Sequence, residues 1–207
     1  LAQRRGVDRA LGFALIERVR THLHMGDGAA ARQTLHALQA LARRHAGDDR
    51  PTSVRVVGLS AFATAQVLAT EHDDRGALAA LEPLCGSDDP AMMRRDRSTA
   101  HGLRALLWAR VGQHEQAMAL LARVLQDGHR LGLVRSLLDL GDGFMALAQQ
   151  WVRDTPDVDP MLAFYVEHLQ AQAALHRPEV PRPTAALKEP LSEREQDALF
   201  EMLERLA

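Results

Sequence analysis

The chain has 207 residues, 46% of them apolar but only 4% aromatic, with a formal net charge of -2 and one cysteine. That length buries enough surface to fold without a staple. The balance gives no global basic field for nucleic acid, and Cys85 alone permits neither an intrachain disulfide nor a CxxC zinc site. No apolar run is long enough to span a bilayer, so no membrane partner is expected and a cytoplasmic location is the simplest reading. The first residues carry neither a methionine start nor a signal pattern, as in a chain that begins in mid-protein.

Helical periodicity dominates. Asp8 is placed to cap a helix with Leu11, Leu15, Val19, His22 and Leu23 on one face, broken by the Met25 to Gly28 turn. Ala31, Leu35, Leu38, Leu41 and Ala42 stripe the next helix, which ends near Gly47. After the turn-rich Gly47 to Thr52 segment, helices are expected over 54–70 and 75–84, then 97–111 and 115–125.

These helices form three repeating pairs. Each has a turn residue, an alanine five positions later and a leucine nine later: Gly26, Ala31, Leu35; His72, Ala77, Leu81; Gly112, Ala117, Leu121. Seven before each turn residue stand Val19, Ala65 and Ala105, and twelve after it Leu38, Leu84 and Val124. Small side chains let the helices of a pair approach closely, and leucine fills the seam between pairs. The resulting expectation is an all-α chain.

The pattern changes beyond Asp127. A short helix, a Gly141-Asp142-Gly143 turn, a helix to about Val152, a turn bracketed by Pro156 and Pro160, and a helix over 161–175 follow. Residues 176–190 hold four prolines and read as an extended linker. Residues 191–207 open with Ser192 and Glu195, spaced as a capping box, and continue with Leu199, Met202, Leu203 and Leu206 at helical spacing. An amphipathic helix starts there, and the chain stops before anything packs on it.

The offsets in residues 8–126 resemble the tetratricopeptide repeat, although the pairs recur after 46 and 40 residues rather than the usual ~34. Gly132-Leu133-Val134-Arg135, Leu138-Asp139 and Gly141, followed by the proline-rich stretch and Leu191-Ser192-Glu193-Arg194-Glu195, resemble large LuxR-family transcription regulators of the MalT type. Gln196 and Arg205 depart from the family's usual apolar residue and glycine. The resemblance implies an α-α superhelix of tetratricopeptide-like helix pairs over 1–175 as sensor, a linker over 176–190, and over 191–207 the start of a helix-turn-helix DNA-binding domain without its recognition helix. It implies a small-molecule inducer or regulatory protein in the concave groove, DNA contact only through the missing part, and a possible homo-oligomer. A tetratricopeptide-type adaptor with no DNA role is the alternative.

In such arrays the first helix of each pair lines the groove, which gives Arg20, His24, Gln66, Thr70 and Arg110 as polar candidates. Arg20 and Arg110 suit a carboxylate or phosphate; the plain alternative is a solvated helix face. Ser192 and Glu195 would cap the entry to the DNA domain. No enzyme is expected, and no cofactor or metal. The ten histidines form no metal-ligand pattern: His22 falls on the inner seam, His24 and His45 near helix ends. The pairs Asp48-Asp49, Asp73-Asp74 and Asp88-Asp89 read as caps. Cys85 reads as core, Trp108 as packed between helices, and Trp151 as cover for a junction.

Overall fold

The computed structural model describes residues 2–85 and 94–175, with side chains from residue 7 onward. Among these residues all regular structure is α-helical: α1 (Ala2–His24), α2 (Gly28–Arg43), α3 (Pro51–Thr70), α4 (Asp74–Cys85), α5 (Arg94–Arg110), α6 (His114–Leu131), α7 (Arg135–Leu138), α8 (Asp142–Asp154) and α9 (Pro160–Leu175). The chain divides into two compact units, Leu1–Gln172 and Ala173–Ala207. The second is described only at the end of α9, so the linker and the Ser192–Glu195 cap lie outside the described residues.

Helices α1 and α2, α3 and α4, and α5 and α6 pack as pairs, α3 rests on both α1 and α2, and α5 rests on α4. The three turns inside the pairs are built alike. Asp27, Asp73 and Gln113 donate their N–H groups to the carbonyls of His22, Leu68 and Trp108, while Gly26, His72 and Gly112 donate to Leu23, Ala69 and Ala109. This is the Schellman closure, whose penultimate residue must be left-handed. Gly26, His72 and Gly112 have φ of 73°, 63° and 84°. A fourth copy ends α6, where Gly132 (φ 64°) and Leu133 bond back to His129 and Gly128.

The repeat spacing sets the core. Val19, Ala65, Ala105, Ala31, Ala77, Ala117, Leu35, Leu81, Leu121, Leu38, Leu84 and Val124 are all buried. The core falls into two clusters: one is built from the first pair with Val56, Ala63 and Val67 of α3, the other runs from Ala65 and Ala69 of α3 to Leu169 of α9. Helix α3 therefore has an apolar surface on two sides. That explains why it alone, among the described residues, is long and apolar enough to cross a membrane by length and composition.

Several boundaries differ from the sequence expectation. Asp8 lies inside α1 and caps nothing; its carboxylate faces His45 and Arg44. Helix α3 starts at Pro51, where a proline costs no hydrogen bond. Helix α6 runs past Asp127 to Leu131 because Gly128 lets Tyr165 and Leu137 approach; a Cβ there would stand 2.7 Å from the Tyr165 hydroxyl. Of the acid pairs, Asp73 caps α4 through the Gly76 N–H, whereas Asp48 serves a turn and Asp88-Asp89 lies outside the described residues.

Candidate functional site

The segment that follows α6 brings the site together. Leu133 and Leu137 are buried, Leu133 O accepts from the Tyr165 hydroxyl, and Leu140 approaches so closely that a Cβ on Gly102 of α5 would lie 2.6 Å from it. Burial among these apolar groups pushes the Tyr165 hydroxyl well above the usual phenol range. So anchored, α7 faces the first helices of two pairs. Arg95 of α5 donates through Nε to Ser136 Oγ at 2.9 Å. Arg20 of α1 donates through Nη2 to Asp139 Oδ2 at 2.7 Å, and through Nη1 to Glu17 at 2.7 Å. Asp139 also pairs with Arg135 at 2.9 Å, one turn away.

The five candidate groove residues divide. Arg20 and Arg110 both reach the same turn: Arg20 holds Asp139, and Arg110 Nη2 lies 3.8 Å from where a Gly143 Cβ would stand. Arg110 also donates to the Ala69 carbonyl at 3.2 Å and to Asp74 at 3.3 Å. Both guanidiniums thus grip carboxylates, as their chemistry favours, but carboxylates of this chain. Gln66 is half-buried, with an Oε1 that is enclosed and without a hydrogen-bond partner. Thr70 donates back to its own helix at Gln66 O, 2.9 Å, and is exposed, as is His24.

A second row of contacts crosses the first helices nearer their N-termini. The Arg55 guanidinium of α3 lies 5.0 Å from the centroid of the Phe13 ring on α1 and pairs with Asp96 of α5 at 2.8 Å. Burial pushes the Asp96 carboxyl up, with Arg55 and Arg95 opposing it. These residues were not among the sequence candidates, although a signal existed. Arg9, Arg55 and Arg95 each stand seventeen positions before a turn residue.

One buried cluster has the composition of a hydrolase triad. His45 Nδ1 lies 2.8 Å from Ser53 Oγ, and Nε2 lies 3.2 Å from Asp8 Oδ2. Its wiring runs the wrong way for nucleophile activation. Ser53 has one hydroxyl proton and donates it to Asp48 at 2.9 Å, so its oxygen accepts from the imidazole. Ser53 is also wholly buried. The cluster clamps α1 to the turn before α3. Arg50, hydrogen-bonded to Asp48 at 2.7 Å, holds that carboxyl far below the usual range. His45 stands just past the end of α2, as its sequence position suggested, and there joins three chain segments.

Cys85 is half-buried, and burial pushes its thiol up against the opposing pull of Arg104. Trp108 lies under the Arg104 guanidinium, 4.6 Å from centroid to Cζ, and Trp151 is buried in the larger core. Among the described residues no group of three or more His, Cys, Asp or Glu side chains is placed to hold a metal ion. Comparison with protein-family models, with curated proteins and with solved structures returns no match to this chain.

Proposed function

We propose that the chain is the cytoplasmic regulatory region of a LuxR-family transcription regulator of the MalT type, a tetratricopeptide-like superhelix that senses an anionic small molecule or an acidic segment of a regulatory protein. The observation that carries this reading is the seating of the Gly132–Gly141 segment. The residues that resemble the family are those that fold back onto the first helices, and their Asp139 occupies Arg20. A carboxylate or phosphate that displaced Asp139 would free the segment from α1. The Tyr165 hydrogen bond to Leu133 then links that release to α9, the helix next to the linker.

The energetic scale suits a switch. A partly exposed ion pair contributes about 1 kcal/mol or less, and 1 kcal/mol shifts a two-state population about fivefold. An effector acts only through its differential affinity for the two states. The test uses the full-length protein from the same gene with a reporter under its operator. Asp139→Asn is expected to raise basal output several-fold, and Arg20→Ala to abolish the inducer response. An unchanged response in both variants rejects the reading. A gene that encodes no helix-turn-helix after residue 207 leaves the tetratricopeptide-type adaptor in its place.

A further inference from the structure

The three pairs use one surface in different ways. Twelve positions before each turn residue stand Ala14, Ser60 and Ala100; Ser60 and Ala100 are 7% and 1% exposed, whereas Ala14 is open. Eight positions before it stand Arg18, Thr64 and Arg104. Thr64 accepts from Gln39 Nε2 of α2 at 3.2 Å, and Arg104 donates to Glu82 of α4 at 3.1 Å. Eleven positions before it, His101 hydrogen-bonds to the Cys85 backbone at the end of α4. In pairs two and three, then, this face of the first helix is covered by the second helix of the pair before. Among the described residues, nothing covers the same face in the first pair.

The open face has the features of half an interface. A cavity of about 370 Å³ lies between α1 and α2, lined by Leu15, Arg18 and His22 on one side and Gln33, Thr34 and Ala37 on the other. His22 Nδ1 is buried there without a hydrogen-bond partner, a state that normally costs stability until a partner arrives. Val7 and Leu11 extend the surface, 62% and 41% exposed. Helical arrays normally close such an end with a polar outer face.

We propose that this surface is a stacking site for one further helix pair of the same repeat type. Its second helix would lay an alanine and leucine stripe into the cavity and present a carboxylate or amide to Arg18, as α4 presents Glu82 to Arg104 and α2 presents Gln39 to Thr64. Recognition is then by a small-residue helix face with one acidic or amide group in register. The inference does not depend on any role in transcription.

The test splices a copy of residues 51–93 ahead of Asp8, which keeps the register because Asp8 and Arg94 stand eighteen positions before their turn residues. Amides over residues 11–22 should gain at least tenfold protection from hydrogen exchange. Arg18→Glu should reverse the gain, and Glu82→Arg in the spliced copy should restore it. Unchanged protection in a chain whose added pair is itself ordered overturns the proposal. If the added pair fails to order, a fluorescein-labelled peptide of residues 74–85 is titrated into the unaltered chain to millimolar concentration. Saturable binding lost in Arg18→Glu supports the proposal, and no saturation overturns it. Sedimentation of the unaltered chain as a dimer that Arg18→Glu dissociates would also overturn it, assigning the face to a second copy.

Discussion

His72 performs, with a side chain, a task that glycine performs in the other two repeat turns. Its φ of 63° places Cβ near the carbonyl oxygen, a conformation costing about 1–2 kcal/mol for an ordinary residue. The Schellman bonds from His72 and Asp73 hold it there regardless. His72→Gly should therefore stabilise the chain by about 0.5–1 kcal/mol, the strain relief less the extra freedom of glycine when unfolded. Chemical denaturation measures this, and a loss of stability would sink the idea. His101 gives a pH-dependent counterpart. Burial pulls its pKa below the ordinary 6.5; the Cys85 backbone and Asp127 oppose this, while Arg104 and Arg97 reinforce it. The unfolded state then holds the proton more tightly, so the contribution is complete above about pH 6.5 and is lost as pH falls through the lower folded value. The decline in stability from pH 7.5 to 5 should be shallower in His101→Asn than in the unaltered chain; equal declines would refute the assignment.

At the scale of elements, what the sequence made legible was what repeats. All twelve Val/Ala, Ala, Leu and Leu/Val positions placed around the three turn residues lie in the core because the pattern encodes packing between neighbours, and packing depends on spacing. Starts and stops were less legible. Asp8 looks like a cap from its neighbours but has long-range partners, and α6 continues through Gly128 because a tyrosine 37 positions later needs the room. The same reason hid half of the site. Arg20 was legible as a polar residue on a first helix, but Asp139 lies 119 positions away and nothing local announces the pair. Ser53, His45 and Asp8 come from three segments and were invisible as a cluster. Helix α3 shows the converse effect: the sequence was read as holding no apolar run long enough for a span, yet α3 is long and apolar enough by length and composition, because it packs on two sides.

The described residues form two cores joined through α3, and this makes a definite claim about cooperativity. Val19 and Leu121 are both wholly buried and belong to different cores. In a stack where each pair packs mainly on its neighbours, with the Arg20–Asp139 bridge as the exception here, damage spreads one interface at a time. Val19→Ala should cost about 1–3 kcal/mol and Leu121→Ala about 2–5 kcal/mol, but the two losses should appear in different places. Native-state hydrogen exchange on Val19→Ala should show faster opening of α1 and α2, with α5 and α6 unchanged. Leu121→Ala should speed α5, α6 and the segment through α8, because Leu121 shares its cluster with Leu137 and Phe144. The deciding helix is α3, which contributes Ala63 to one core and Ala65 to the other. If α3 opens with the first pair in one variant and with the second core in the other, it is the hinge of a nearest-neighbour array. Uniform acceleration across all helices in both variants would instead mean a single cooperative unit, in which releasing Asp139 from Arg20 could not act locally.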